Sequence, residues 1–269
     1  MRRMRHQSGL IGYSGFVGST LQRQRDFSAV FRSSNIEQIQ GLEFDLLFCA
    51  AAPAQKWLAN RDPKSDRRNI ENLLRHLEKV TCRTFVLIST VDVFQRPIGV
   101  DEDSLVNEEE LHAYGRHRRM LEKFVEQRFS KSLIVRLPGL VGPGLRKNVI
   151  FDFLNDNNLD AIDGRGVFQF YPMVNLWHDI QLALNADLKL VHLTAEPVSV
   201  ADVASEAFDK PFDHVLPGTP ATYDMRTRYA ALFGGSGSYQ YSQRESLQAV
   251  RAYAQSEVKA AKVAQGGAP

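Results

Sequence analysis

Cysteine is scarce: the 269 residues hold only Cys49 and Cys82, in neither a zinc nor a redox spacing, so no disulfide framework or cysteine-held metal is expected. Long apolar runs are missing too, and no segment reads as a bilayer span. The basic start Met1-Arg2-Arg3-Met4-Arg5-His6 lacks the apolar stretch that a secretory signal needs. Charge of one sign is not in excess, with 33 Lys and Arg against 31 Asp and Glu, which gives no general attraction for nucleic acid. His112, His117 and His178 belong to no metal-ligand cluster, and no segment repeats. The expectation is a cytoplasmic protein with no metal, no nucleic-acid partner and no membrane partner.

What is present is an ordinary globular balance, 43% hydrophobic and 24% charged, at a length that suits one large α/β domain or a nucleotide-binding domain with a small lobe. Near-continuous apolar runs at 28–31, 45–50, 84–89 and 132–137 alternate with amphipathic stretches. One stripe, Asn69, Leu73, Leu74, Leu77 and Val80, follows Pro63; another, Leu111, Met120, Leu121, Phe124 and Val125, follows Glu108-Glu109-Glu110. That alternation predicts a Rossmann-type, doubly wound parallel sheet covered on both faces, with ligands beyond the carboxyl ends of its strands. Pro138, Gly139, Gly142, Pro143 and Gly144 interrupt the pattern and mark an excursion over 139–166, with a helix near 149–154. A strand at 167–170, a helix at 176–184 and a strand at 188–193 are expected to return to the sheet. The dinucleotide-binding unit is thus placed at 1–194, a small C-terminal lobe at 195–258 with a terminal helix at 242–258, and a disordered tail at 259–269.

The segment Leu10-Ile11-Gly12-Tyr13-Ser14-Gly15-Phe16-Val17-Gly18 carries the most chemistry, because an apolar strand runs into three glycines and then a helix. Gly12 permits a tight turn, Gly15 lets backbone N–H groups approach a pyrophosphate, and Gly18 lets the helix pack close to the sheet. Ser14, Phe16 and Val17 complete the cradle, and the helix N-terminus faces the anion. The spacing is G-x-x-G-x-x-G, not the commoner G-x-G-x-x-G, and an ordinary glycine-rich loop is the competing reading. The second strand ends in Arg32-Ser33-Ser34-Asn35, with no carboxylate for an adenosine ribose. Arg32 and Ser33 suit a 2′-phosphate there, so NADP is preferred to NAD; an exposed turn is the bland alternative.

Two further motifs follow in order: Ser89-Thr90-Val91-Asp92-Val93-Phe94 at a strand end, and Tyr114-Gly115-Arg116-His117-Arg118 on the next helix. With the glycine turn, with Ala50-Ala51-Ala52, Asn69-Ile70-Glu71-Asn72 and Asp179-Ile180, and with the run from Arg136 to Gly144, they resemble the extended short-chain dehydrogenases/reductases that act on nucleotide sugars. The resemblance covers roughly residues 8–205. It implies hydride transfer between a nicotinamide and a carbon that alternates between alcohol and ketone. Tyr114 then matches the residue that handles the proton, and Thr90 the hydroxyl that binds the substrate oxygen. Gly12, Ser14, Gly15, Phe16, Val17, Gly18, Arg32, Ser33, Ala50, Ala51, Tyr114 and Arg118 are the implied cofactor contacts.

The chain departs from that pattern at three places. Arg118 stands where a lysine is expected; it shares a helix face with Tyr114 and favours a lowered tyrosine pKa, but it stays protonated and cannot relay a proton as lysine would. The family's dehydratases carry two acidic residues after the Thr; Val91 replaces the first and Asp92 occupies the second, so dehydration is disfavoured. Gly139 stands where many members have an Asn that contacts substrate. Asp92, Gly139, Arg146 and Arg226 are the candidate substrate contacts, although solvated charge is the commoner fate of scattered basic residues. The expected function is an NAD(P)-dependent reductase or epimerase acting on a sugar carbon of a nucleotide-linked sugar, with reduction favoured; a catalytically silent NAD(P)-binding sensor is the alternative. Homodimerisation through two helices is expected by analogy.

Overall fold

The computed structural model describes residues 5–259. Most of the basic start and residues 260–269 of the expected tail lie outside the described residues. Strand β1 (Arg5–Ile11) runs into the glycine turn and helix α1 (Phe16–Gln24). After β2 (Ala29–Phe31), a single 3-10 turn over Ile36–Ile39 leads straight to β3 (Glu43–Cys49). Helices α2 (Lys56–Arg61) and α3 (Pro63–Leu77) precede β4 (Thr81–Thr90). A short β5 (Ile98–Val100) and α4 (Ala113–Arg128) lead to β6 (Ser132–Leu137). The excursion holds β7 (Gly139–Val141), α5 (Val149–Asn155), β8 (Val167–Phe168) and β9 (Phe170–Pro172). Then come α6 (Leu176–Asn185) and β10 (Leu190–His192), followed by β11 (Val198–Ser199), α7 (Val200–Phe208), β12 (Asp224–Met225) and α8 (Gln243–Ser256).

Six strands form one parallel sheet in the order β10-β6-β4-β3-β1-β2. Because β2 lies on one side of β1 and β3 on the other, the winding reverses between β1 and β3. That reversal opens a crevice at the carboxyl ends, between the glycine turn after β1 and Ala50 after β3. The stretch between β2 and β3 is too short for a further helix and strand, so the first half of the sheet is abbreviated.

Alternation within β4 builds both layers. Phe85 and Leu87 face one core with Ile70, Leu77 and Leu121 of α3 and α4, while Val86 and Ile88 face another with Leu21, Leu176 and Ile180 of α1 and α6. Each fully buried side chain of this size contributes about 1.5–3 kcal/mol of apolar burial. Helix α3 starts where its sequence directs: Asp62 accepts a hydrogen bond from the Ser65 backbone N–H at 3.1 Å, and Pro63 takes the first helical position.

One expectation is corrected. The strand expected at 167–170 does not rejoin the sheet: β8 pairs antiparallel with β11, and β9 pairs in parallel with β7. The reason is a third apolar cluster, in which Phe170 packs with Ile150, Phe153, Val200, Leu247 and Val250 from α5, α7 and α8. Burying that cluster draws the aromatic strand away from the main sheet and over its carboxyl end, where β7 leaves β6. The helix and strand that follow do return, as α6 and β10.

Candidate active site

The glycine turn is built as a cradle. Gly12 adopts φ +88°, and its N–H donates to the Phe31 carbonyl at 2.7 Å, which locks the end of β1 to β2. A Cβ on Gly18 would collide with the Gly12 carbonyl oxygen, so glycine alone allows α1 to lie this close to the strand. Gly15 differs. A Cβ there would meet nothing nearer than the Gly12 oxygen at 3.5 Å, so protein packing does not require a glycine. Gly15 and Ser14 are exposed, Gly15 is the N-cap of α1, and the first turn holds neither a side-chain cap nor an acidic residue. The opening N–H groups of the helix, from Phe16 through Gly18, therefore face outward with the positive end of the helix dipole, which fits a pyrophosphate.

The corner after β2 is open as well. Arg32 and Ser33 are exposed; the Arg32 Nε donates to Ser34 Oγ at 2.9 Å, and its guanidinium lies 6.0 Å from the centre of the Tyr13 ring. Among the described residues no carboxylate is placed against it. Ala50 and Ala51 continue the crevice from β3; a Cβ on Gly12 would meet the Ala50 carbonyl oxygen at 2.5 Å.

Thr90 ends β4 and Tyr114 lies in the first turn of α4. Gly115 lets these two approach, because any side chain there would strike the Asp92 carbonyl oxygen. Tyr114 is buried, with the Thr90 side chain close enough to favour its phenolate form. Its backbone N–H donates to Asn60 Oδ1 at 3.0 Å, which ties α4 to α2. Burial pushes the phenol above its ordinary value of 10.0; Arg118 opposes this, Asp92 adds to it, and the Thr90 side chain and Lys56 oppose it. The expected depression by Arg118 thus has the right sign but is outweighed by desolvation.

Arg118 is 2% exposed and stacks on the Tyr114 ring, 3.9 Å from its centre. Its guanidinium donates to Asp66 and to the Pro53 carbonyl. Asp66 also pairs with His117 Nδ1 at 2.7 Å. Arg118 is therefore a fixed support beneath Tyr114, facing the ring and not the hydroxyl. Its Nε is buried and has no partner among the described residues.

Two residues absent from the sequence reading complete this region. Lys56 Nζ contacts Asp92 Oδ1 at 2.7 Å and the Tyr223 hydroxyl at 3.1 Å, and that hydroxyl donates to Asp92 Oδ1 at 3.2 Å. Asp92, a candidate substrate contact, is thus brought beside Thr90. The other candidates fall differently. Arg226 is forked onto Asp224, with the shortest contact 2.7 Å. Arg146 is exposed, and its neighbour Lys147 donates to the Ala54 carbonyl. Gly139 is held by packing, since a Cβ would lie 2.5 Å from the Gln169 carbonyl oxygen across the β7–β9 pair, which leaves no room for an Asn.

Burial pushes the Cys49 thiol up to about 11 and Cys82 up to about 12, so neither supplies a thiolate at neutral pH. Among the described residues no group of His, Cys, Asp and Glu could hold a metal. A cavity of about 490 Å³ lined by Thr84, Phe129, Ser132 and Lys189 lies at the amino ends of β4 and β6, the opposite end of the sheet from Thr90.

No protein-family profile and no curated protein sequence matches the chain. Solved structures do match. A dTDP-4-dehydrorhamnose reductase from Bacillus anthracis in complex with NADP superposes with a TM-score of 0.71 at 17% identity, covering 94% of this chain and 99% of that one. The enzyme WbmG of Bordetella bronchiseptica, in complex with NAD, gives a TM-score of 0.71 at 16% identity over 94% of this chain and 95% of that one. The chain shares the fold of these two enzymes. A UDP-glucose 4-epimerase from Thermotoga maritima with UDP-glucose also shares it, with a TM-score of 0.67 at 16% identity over 94% of this chain and 99% of that one. No described helix is long and apolar enough to cross a membrane.

Proposed function

We propose that this chain is an NAD(P)-dependent oxidoreductase or epimerase that acts on a sugar carbon, with a nucleotide-linked sugar as substrate and NADP(H) as the preferred cofactor. The observation that carries this reading is Tyr114 brought beside Thr90 at the carboxyl end of β4 by the close approach at Gly115, on the sheet end that also bears the open cradle of Gly12, Gly15 and Gly18. The fold neighbours solved with NADP, NAD and UDP-glucose support it.

The cofactor, when bound, supplies the hydride. The residues of this chain do the rest. The N–H groups from Phe16 to Gly18 hold the pyrophosphate, with Ser14 and Gly15 at the rim; Arg32 and Ser33 take the 2′-phosphate, and Ala50 and Ala51 line the crevice. Thr90 orients the substrate carbonyl, and Tyr114 donates its proton to the oxygen as negative charge develops there. Arg118 holds the ring in place.

Residues 1–194 serve as the cofactor unit and 195–258 as a small substrate lobe, in a cytoplasmic homodimer formed through two helices. Calorimetric titration with NADPH and NADH, followed by turnover assays on keto-sugar nucleotides, tests the reading. Tighter binding of NADPH and consumption of it with one of these substrates is the expected result. Absence of binding by either cofactor overturns it.

A further inference from the structure

Asp92 has an uneven set of partners. Oδ1 receives Lys56 Nζ at 2.7 Å and the Tyr223 hydroxyl at 3.2 Å, whereas the side-chain contact of Oδ2 is the Thr90 hydroxyl at 3.5 Å. A carboxylate offers roughly four lone-pair sites, so Oδ2 retains room for another donor. Lys56 uses two of its three N–H bonds on Asp92 and Tyr223, and its side chain is 38% exposed. A spare acceptor and a spare donor therefore stand side by side, next to Thr90 at the end of β4.

This cluster is more than a surface ion pair, which would contribute little. It joins α2, the turn after β4 and the segment before β12, three parts of the chain far apart in sequence. The Tyr223 ring is fixed by stacking on Phe168, with centres 5.5 Å apart and planes 25° from parallel. Burial lowers the Lys56 pKa, but Asp92 and then Tyr223 outweigh it and hold the ammonium above its ordinary value, so it remains a donor at neutral pH. Burial, reinforced by Asp92, keeps Tyr223 a phenol despite the opposing pull of Lys56.

We propose that Lys56, Asp92 and Tyr223 form a hydroxyl-recognition subsite that takes a vicinal diol next to the reacting carbon, one hydroxyl donating to Asp92 and its neighbour accepting from Lys56. The inference rests on the oxidoreductase reading and names the substrate feature that reading left open. Substrates lacking either hydroxyl leave a charged group without its partner, and such sites discriminate strongly against deoxy analogues.

The test uses the full chain saturated with NADPH and a panel of probes: UDP-glucose, UDP-galactose, dTDP-glucose, and UDP without a sugar. Lys56→Met, Asp92→Asn and Tyr223→Phe are compared with the wild type by calorimetry, with NADPH fluorescence as a check on the folded cofactor half. Wild-type binding of at least one sugar nucleotide, weakened about tenfold or more by Lys56→Met and Asp92→Asn while UDP and NADPH binding hold, is the expected result. Tyr223→Phe removes one oxygen and preserves the ring stack, so it gives a smaller loss and guards against misfolding of the charged variants; Lys56→Arg restores part of the affinity. Sugar-nucleotide binding that none of the substitutions changes overturns the subsite alone. Failure of the wild type to bind any sugar nucleotide while it binds NADPH overturns the subsite together with the nucleotide-sugar reading.

Discussion

Arg118 sits over the Tyr114 ring, its guanidinium carbon 3.9 Å from the ring centre, while its terminal NH2 groups are held by Asp66 and the Pro53 carbonyl. A planar, always-charged group can stack and bond at once, which a lysine ammonium cannot. Arg118→Met leaves Asp66 buried with only His117 beside it and should destabilise the fold by about 3 kcal/mol. Arg118→Lys keeps the charge but loses the fork and should fall between the two. Denaturant unfolding of the three proteins checks this, and equal stability of Arg118→Met and wild type would contradict it.

The glycines of the cradle should separate by function. Gly18→Ala forces a Cβ against the Gly12 carbonyl and should lower the melting temperature. Gly15→Ala meets no protein atom nearer than 3.5 Å and should leave the melting temperature unchanged. It should nevertheless weaken NADPH binding about tenfold, because the methyl group occupies the ligand's approach to the helix N-terminus. Thermal melts and fluorescence titrations of both variants measure the contrast.

Cofactor preference is assigned to the corner after β2. Arg32→Asp should weaken NADPH about tenfold or more and leave NADH unchanged or tighter, since the new carboxylate repels a 2′-phosphate but accepts from a ribose hydroxyl. An unchanged NADPH to NADH ratio would place the 2′-phosphate elsewhere.

Beneath the site, Glu122 is fully buried and accepts from Ser89 at 2.6 Å, Arg119 at 2.9 Å, and Arg136 at 2.7 Å and 2.9 Å. Burial alone would raise its pKa; Arg136 first, then Ser89 and Arg119, outweigh this and hold it below the ordinary 4.5. A depressed carboxylate contributes stability that is present above its unfolded value and lost as pH falls through its folded value. Glu122→Gln should cost about 3 kcal/mol at neutral pH by stranding Arg136, and should flatten the loss of stability below pH 4.5. Unfolding free energies of both proteins across that range provide the check.

The sequence declares the strands and the glycine turn because both are local: continuous apolar runs need a two-sided sheet, and three glycines need a turn and close packing. Thr90 and Tyr114 were legible as motifs because one strand end and one helical turn place them. Lys56 and Tyr223 were not, since each lies in a stretch without periodicity and they meet only when the segment before β12 crosses the end of the sheet. Asp66 was hidden for a related reason, being one charge among many on α3 until α4 packs against it. The aromatic strand at 167–170 went astray because an apolar run carries no label for which of two cores will bury it.

Tyr114 is assigned to deliver a proton during hydride transfer. The rate of NADPH oxidation by wild type and Tyr114→Phe, measured on a keto-sugar nucleotide that the wild type reduces, tests this directly. The ring, the Arg118 stack and the cofactor cradle survive the substitution, so NADPH affinity should stay within a factor of about two while kcat falls by about 10²–10⁴. A Tyr114→Phe protein that reduces the substrate at the wild-type rate would contradict it.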